Sequence, residues 1–274
     1  MSRCTALPKW RLWLTLLAWS TFVTQIAMAS VLITGSNRGI GLEFCKQLLS
    51  HSNPPVVIAT CRNPDAAQDL QALAQNNSNL HILKLDVVDF NSYETFASKV
   101  KNIVGEKGLN VLINNAGISR GKKESLSEMN VKDMTDIYVT NTVAPVMMIK
   151  TLRPLLKQAA DANKDFPMGW SRSAVINISS GLGSVSNNTF GGFLEYRESK
   201  AALNMAERSL ALELGPEGIL ILNIHPGWVQ TDMGTSAADL TVKDSVGSML
   251  KVLYGLKPEQ HGTFVQWEGK VLPW

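Results

Sequence analysis

The chain has 274 residues, 45% hydrophobic, 7% aromatic and 18% charged, long enough for one large core and too apolar for a disordered chain. Three cysteines are too few for a disulfide-stapled secreted module. The net charge of +3 comes from Arg3, Lys9 and Arg11; beyond them the balance is 23 basic against 23 acidic residues, so no nucleic-acid partner is expected.

Residues 1–29 form a leader. Its first eleven residues are basic and polar, and Leu12 to Ala29 are mostly apolar. Three readings stand side by side. Ala27-Met28-Ala29 supplies a cleavage site for a secretory signal, the apolar run is barely long enough for an anchor, or Met28 is the start and residues 1–27 lie upstream of it. A Met28 start implies the cytoplasm and a signal the endoplasmic reticulum or secretion. Membrane contact is expected only if residues 1–29 are retained. Cys45 and Cys61 lack C-x-x-C spacing and read as reduced thiols.

From residue 30 onward β-rich runs alternate with helical patterns. The first strand, Val31–Thr34, enters Thr34-Gly35-Ser36-Asn37-Arg38-Gly39-Ile40-Gly41, followed by a helix over Leu42–Leu49. Glycines allow a sharp turn and let a pyrophosphate approach N–H groups at a helix N-terminus. The second strand, Val56–Thr60, leads into Cys61-Arg62-Asn63 with no acid before Asp65. A free ribose 2′-hydroxyl calls for an acid there and a 2′-phosphate for a cation. Arg62, with Arg38 from the glycine turn, therefore points to NADP(H) rather than NAD(H).

A helix over Ala66–Gln75, a strand His81–Asp86, a helix Tyr93–Val104 and a strand Val111–Asn114 follow. The next helical segment, Val131–Ala160, should bend or divide at Pro145 and Pro154. Then come a strand Ala174–Ser179, a helix Arg197–Leu214, a strand Leu220–His225, a helix Val242–Leu253 and a weaker strand Thr263–Gln266. Most strands are continuous apolar runs, as expected when both faces are covered. The order predicts a single-domain α/β fold over residues 30–274: a Rossmann-type, doubly wound parallel sheet of about seven strands with helices on both faces, and a ligand crevice at the strands' carboxyl ends.

In Tyr196-Arg197-Glu198-Ser199-Lys200, Tyr196 and Lys200 sit one helical turn apart on one face. An ammonium there is expected to lower the phenol pKa, so that Tyr196 exchanges a proton with a carbonyl or alcohol oxygen.

The glycine turn, Asn114-Asn115-Ala116-Gly117, Ser179-Ser180, Tyr196/Lys200 and Pro226-Gly227 occur in one order over about residues 30–274. In this the chain resembles the short-chain dehydrogenase/reductase family, and within it the sniffer-type, C-factor-like carbonyl reductases, which share His-Pro-Gly-Trp-Val and a closing Leu-Pro-Trp. The resemblance implies Tyr196 as general acid, Lys200 tuning it and binding nicotinamide ribose, Ser180 on the substrate carbonyl and Asn141 anchoring a relay water. It also implies dinucleotide contacts from Gly35, Ser36, Asn37, Arg38, Gly39, Ile40, Gly41, Arg62, Asp86, Val87, Asn115, Ala116, Gly117, Tyr196, Lys200, Pro226, Gly227, Val229 and Thr231. No metal is needed, and a homodimer through the helices beginning near Val131 and Tyr196 is expected.

Ser180 and Tyr196 lie sixteen positions apart, more than in many relatives, so Leu182–Phe193 reads as an enlarged loop. Ser179 competes with Ser180, because neighbouring strand residues face opposite ways. Met147-Met148 reads as core or dimer packing, Trp228 as pocket lining or packing, Lys122-Lys123 as solvated loop, and residues 228–250 as a substrate lid. The function implied is NADPH-dependent reduction of small aldehydes, ketones or quinones. The alternatives are an NADP(H)-binding signalling module and an NAD-dependent alcohol or steroid dehydrogenase.

Overall fold

The computed structural model describes residues 30–120 and 126–274; the expectations for the leader and for Lys122-Lys123 lie outside those residues. Seven strands, β1 (Ser30–Ile33), β2 (Val56–Cys61), β3 (Leu80–Lys84), β4 (Val111–Asn114), β5 (Ala174–Ile178), β6 (Leu220–His225) and β7 (Thr263–Gln266), form one sheet in the order β3-β2-β1-β4-β5-β6-β7. Every neighbouring pair is parallel. Every residue of β1, β4 and β5 is buried, which is why these strands carry no polar alternation in sequence.

Among the described residues, seven α-helices cover the two faces: α1 (Gly39–Leu49), α2 (Gln68–Gln75), α3 (Tyr93–Val104), α4 (Val131–Tyr138), α5 (Ala144–Ala162), α6 (Leu194–Leu214) and α7 (Val242–Tyr254). On one face Phe44, Leu48, Leu70 and Met249 pack against Val31, Ile113 and Ile176. On the other, Phe96, Val100, Leu152 and Leu156 pack against Leu32, Leu112 and Val175, and Met148 joins this core with Met147 beside it. Alternate strand residues thus feed two separate cores, as a strand's period of two requires.

The second face also holds a polar row. Asn114, Asn177 and Asn223 are direct neighbours across β4, β5 and β6, and all are buried. Asn114 Nδ2 donates to Asn177 Oδ1 at 2.9 Å, and Asn223 Nδ2 donates to Asn204 Oδ1 of α6 at 2.9 Å.

Several boundaries shift by one or two residues, and three differences bear on the site. α1 starts at Gly39, ahead of Leu42, because the glycine turn leads straight into helix. α6 starts at Leu194, behind a left-handed Phe193. The segment expected over Val131–Ala160 divides into α4 and α5 around a π-helical turn, Val139–Val143. Pro145 follows that turn and brings no N–H to the carbonyl of Asn141 one turn back. Pro154 stays inside α5 on its exposed side.

Candidate active site

The strand order reverses between β1 and β4, and there a cavity of about 1300 Å³ opens over the carboxyl ends of the strands. Its lining joins the glycine turn, the end of β2, the segments after β4, β5 and β6, and the start of α6. That volume exceeds the usual range for one small-molecule site and leaves room for two ligands together.

The glycine turn is locked to the end of β4. Gly35 has φ +69°, and a Cβ on it would lie 3.0 Å from Ala116 Cα. A Cβ on Gly41 would lie 2.3 Å from the Gly35 carbonyl oxygen, so both positions require glycine. Thr34 Oγ1 accepts from the Asn115 and Ala116 N–H groups, each at 3.0 Å, while Asn115 Nδ2 donates to the carbonyls of Thr34 and Gly35. Arg38 precedes α1 in extended conformation. No side chain caps that helix and no acid occupies its first turn, so its first N–H groups remain available to an anion.

Two guanidinium groups stand at this end of the cavity. Arg62 is exposed and has no ion pair among the described residues. Arg38 Nη1 lies 3.1 Å from Asp232 Oδ2, bridging the glycine turn and the segment after β6, with the two side chains 70% and 75% exposed. Asp86 and Val87 line the cavity just past β3, which ends two residues before the expected Asp86. Asn37, Gly39, Ile40, Ala116, Gly117, Pro226, Gly227, Val229 and Thr231 also line it.

At the other end, β5 and α6 bring three polar groups together. Ser180 and Tyr196 line the same wall, with the Ser180 hydroxyl close enough to act on the phenol, and Lys200 Nζ lies 5.7 Å from the Tyr196 ring centroid. Ser180 Oγ also accepts from the Leu182 N–H at 3.1 Å, which fixes its direction. Ser179 turns away and donates to Asn204 Oδ1 in the buried polar row.

The expected lowering of the Tyr196 pKa is not what this arrangement gives. Burial pushes the phenol up to about 12, with the neighbouring Ser180 hydroxyl opposing it. Burial also lowers Lys200 to about 8, and its ammonium donates to the Ile178 carbonyl at 2.8 Å. His225, on the cavity wall, is lowered to about 4 by burial and is neutral at pH 7.

Three expected site residues do not line the cavity. Ser36 is buried, its N–H donating to the Thr60 carbonyl and its hydroxyl to the Ile33 carbonyl. Gly41 packs against Gly35. The Asn141 amide is engaged by the backbone N–H and carbonyl of Ile118 and by Ser199 Oγ, so only its backbone faces a possible ligand role. The sequence reading missed Ile118 and placed Phe190, Phe193 and Met233 only within the enlarged loop and the lid segment; all four line the cavity with Trp228, itself 51% exposed. Apolar residues in loops carry no periodic signal; the Gly191-Gly192-Phe193 run was the available cue.

A short chain dehydrogenase family profile matches residues 29–240. The carbonyl reductase Sniffer of Drosophila melanogaster is 45% identical, with a TM-score of 0.88 over 90% of this chain and 100% of that one. The NADPH-bound carbonyl reductase from chicken fatty liver is 44% identical, with a TM-score of 0.85 over 90% and 94% of the two chains. The C-signal protein of Myxococcus xanthus is 42% identical over 166 residues, 61% of this chain and 93% of that protein. With the glycine turn, the seven-stranded parallel sheet and the Ser180–Tyr196–Lys200 cluster in place, the chain belongs to the short-chain dehydrogenase/reductase family of oxidoreductases.

Proposed function

We propose that the protein is an NADPH-dependent carbonyl reductase acting on small aldehydes, ketones or quinones. The observation that carries this reading is the convergence of Ser180, Tyr196 and Lys200 on one cavity wall, with the buried Lys200 ammonium 5.7 Å from the phenol ring. The cofactor fits the donor set at the opposite end: an uncapped helix start, two exposed guanidinium groups and no acid directly after β2. Arg62 and Arg38 would hold a 2′-phosphate, the Gly35–Ile40 turn the pyrophosphate, Asp86 and Val87 the adenine side, and Asn115–Gly117 with Pro226–Thr231 the nicotinamide side. The cofactor supplies the hydride.

The side chains do the rest. Ser180 donates to the substrate oxygen and orients it. Tyr196 is protonated at neutral pH because burial holds its pKa near 12, and in this reading that is the form a reduction consumes. It gives its proton to the oxygen as negative charge develops there. The Lys200 ammonium stabilises the phenolate left behind and, with its ribose contacts, places the nicotinamide. Asn141 contributes its carbonyl, which Pro145 cannot bond, as the holder of a water that returns a proton through Lys200.

NADPH oxidation against a panel of quinones, aldehydes and ketones tests the proposal, with Tyr196→Phe and NADH run in parallel. Turnover with NADPH that the variant loses is expected. Tight NADPH binding without turnover of any carbonyl would favour the signalling module instead. A homodimer through α4 and α6 is part of the proposal, supported by the exposed apolar side chains of Val131, Met205 and Leu212.

A further inference from the structure

We infer that Arg197, next to Tyr196, is a positioning residue that sets substrate selectivity by holding the loop Gly181–Phe193 as a fixed aromatic wall of the cavity. The inference deepens the reductase reading and rests on it for the selectivity role. Arg197 Nε donates to the Gly192 carbonyl at 2.9 Å, Nη1 to the Leu182 carbonyl at 3.2 Å and Nη2 to the Gly191 carbonyl at 3.3 Å. Its Cζ lies 4.5 Å from the centroid of the Phe190 ring. One side chain therefore joins the beginning of the loop to its end and seats the aromatic ring between them.

The backbone is shaped to that guanidinium. Gly191, Gly192 and Phe193 have φ of 64°, 70° and 54°, three left-handed residues in succession. Glycine adopts this conformation freely, but Phe193 does so at a cost that the surroundings must sustain. The Phe193 carbonyl accepts from the Arg197 N–H at 2.8 Å, so the strained residue also starts α6. Strain next to Tyr196, on a residue that lines the cavity, marks the loop as built for the site and not for chain connection alone.

Packing alone does not account for an arginine here. The side chain is buried, and its charge meets neutral carbonyls and a ring face, where an apolar residue of similar volume would fill the space without desolvating a charge. What the arginine adds is three directed donors.

A second anchor holds the middle of the loop: Ser184 Oγ donates to the Pro273 carbonyl at 2.7 Å and the Ser186 N–H to the Trp274 carbonyl at 2.9 Å. Phe190 lies beyond that anchor and is 57% exposed, so Arg197 decides where its ring stands. With Phe190 and Phe193 on this loop and Trp228 on the segment after β6, the wall fits flat aryl carbonyls better than small aliphatic ones.

The test uses the full chain with Arg197→Gln, Arg197→Lys, Phe190→Ala and the Phe190→Ala/Arg197→Gln double variant. Kinetics with 2-naphthaldehyde and propanal, NADPH Kd and hydrogen exchange of the loop are measured for each. Arg197→Gln is expected to raise KM for 2-naphthaldehyde about tenfold, while KM for propanal and NADPH Kd change less than about twofold. Phe190→Ala should reproduce this, the double variant should add little, and Arg197→Lys should not rescue, because an ammonium cannot serve three diverging carbonyls. Loop amides should exchange at least about tenfold faster in Arg197→Gln, with α6 amides unchanged. Equal losses on both aldehydes, additive effects, or unchanged loop exchange would overturn the inference. Turnover by the unaltered protein of neither aldehyde nor any other carbonyl of the quinone, aldehyde and ketone panel would sink the reductase reading and the selectivity role with it, while the exchange measurement would still decide the clamp.

Discussion

The Ser179 hydroxyl donates to Asn204 Oδ1 at 2.7 Å, so the two adjacent serines after β5 serve different surroundings. Ser180 faces the cavity and Tyr196; Ser179 faces the polar row under α6. Ser180→Ala should lower kcat by about 10²-fold or more, the usual effect of removing a donor to a developing oxyanion, with little change in Tm. Ser179→Ala should instead cost about 1 kcal/mol of stability and leave kcat nearly unchanged. Urea denaturation and steady-state kinetics on both variants check this; interchanged outcomes would reverse the assignment.

Tyr196→Phe keeps the ring but removes the proton. Turnover should fall by at least about 10²-fold, the general-acid contribution, while the NADPH Kd measured by fluorescence stays within about twofold, since most of the proposed cofactor contacts lie elsewhere.

Lys200 links activity and stability through pH. Its folded value of about 8 lies below the ordinary 10.5, so between these two pH values the unfolded chain binds more protons and the folded protein gains stability as pH rises. The gain is complete above 10.5 and lost as pH falls through 8; from the shift it amounts to about 3 kcal/mol. Reduction should move the other way and slow above pH 8 as the ammonium discharges. Unfolding free energies and kcat against pH, each compared with Lys200→Met, will show whether the two curves diverge.

Cofactor choice should follow Arg62. Arg62→Glu should raise KM for NADPH about tenfold or more by removing a charge-assisted contact, and lower it for NADH. Asp232→Asn should release Arg38 and tighten NADPH binding only slightly, because an exposed ion pair is worth about 0–1 kcal/mol. The Asp232→Asn effect should shrink with added salt.

Glu207 on α6 is fully buried, and burial holds its carboxyl well above the ordinary 4.5, opposed by Arg208 and the backbone N–H of Asn223. Its stabilising contribution is present below pH 4.5 and is lost as pH rises toward and through the folded value. Glu207→Gln should therefore raise Tm at pH 8 more than at pH 5, as differential scanning calorimetry would show.

The sheet was legible because doubly covered strands are apolar runs bounded by turns, and the turn after β1 announces itself by its glycines. What escaped the sequence depends on backbone or burial. The π turn at Asn141 has no periodic signature, although Pro145 four residues later marks the missing donor. The Arg197 clamp escapes because its partners are carbonyls, which every residue possesses. The direction of the Tyr196 shift was misjudged because spacing puts Lys200 on the same face but does not reveal that Lys200 is buried and the phenol partly desolvated. The choice between Ser179 and Ser180 needed Asn204, a partner 25 residues downstream.

The amides of Asn114, Asn177 and Asn223 work as a keyway for the central strands. Sliding β5 by one residue against β4 would turn Asn177 toward the opposite core, among side chains such as Ile113 and Ile176, where an amide finds no partner. Such a slip would also shift Ser180, three residues beyond Asn177, against Asn115 and Pro226, which follow Asn114 and Asn223. The polar row thus sets the level at which three chain segments arrive beneath the cofactor and substrate. It is an alignment device one layer below the chemistry, and softening it would blur the active site before it unfolded the protein.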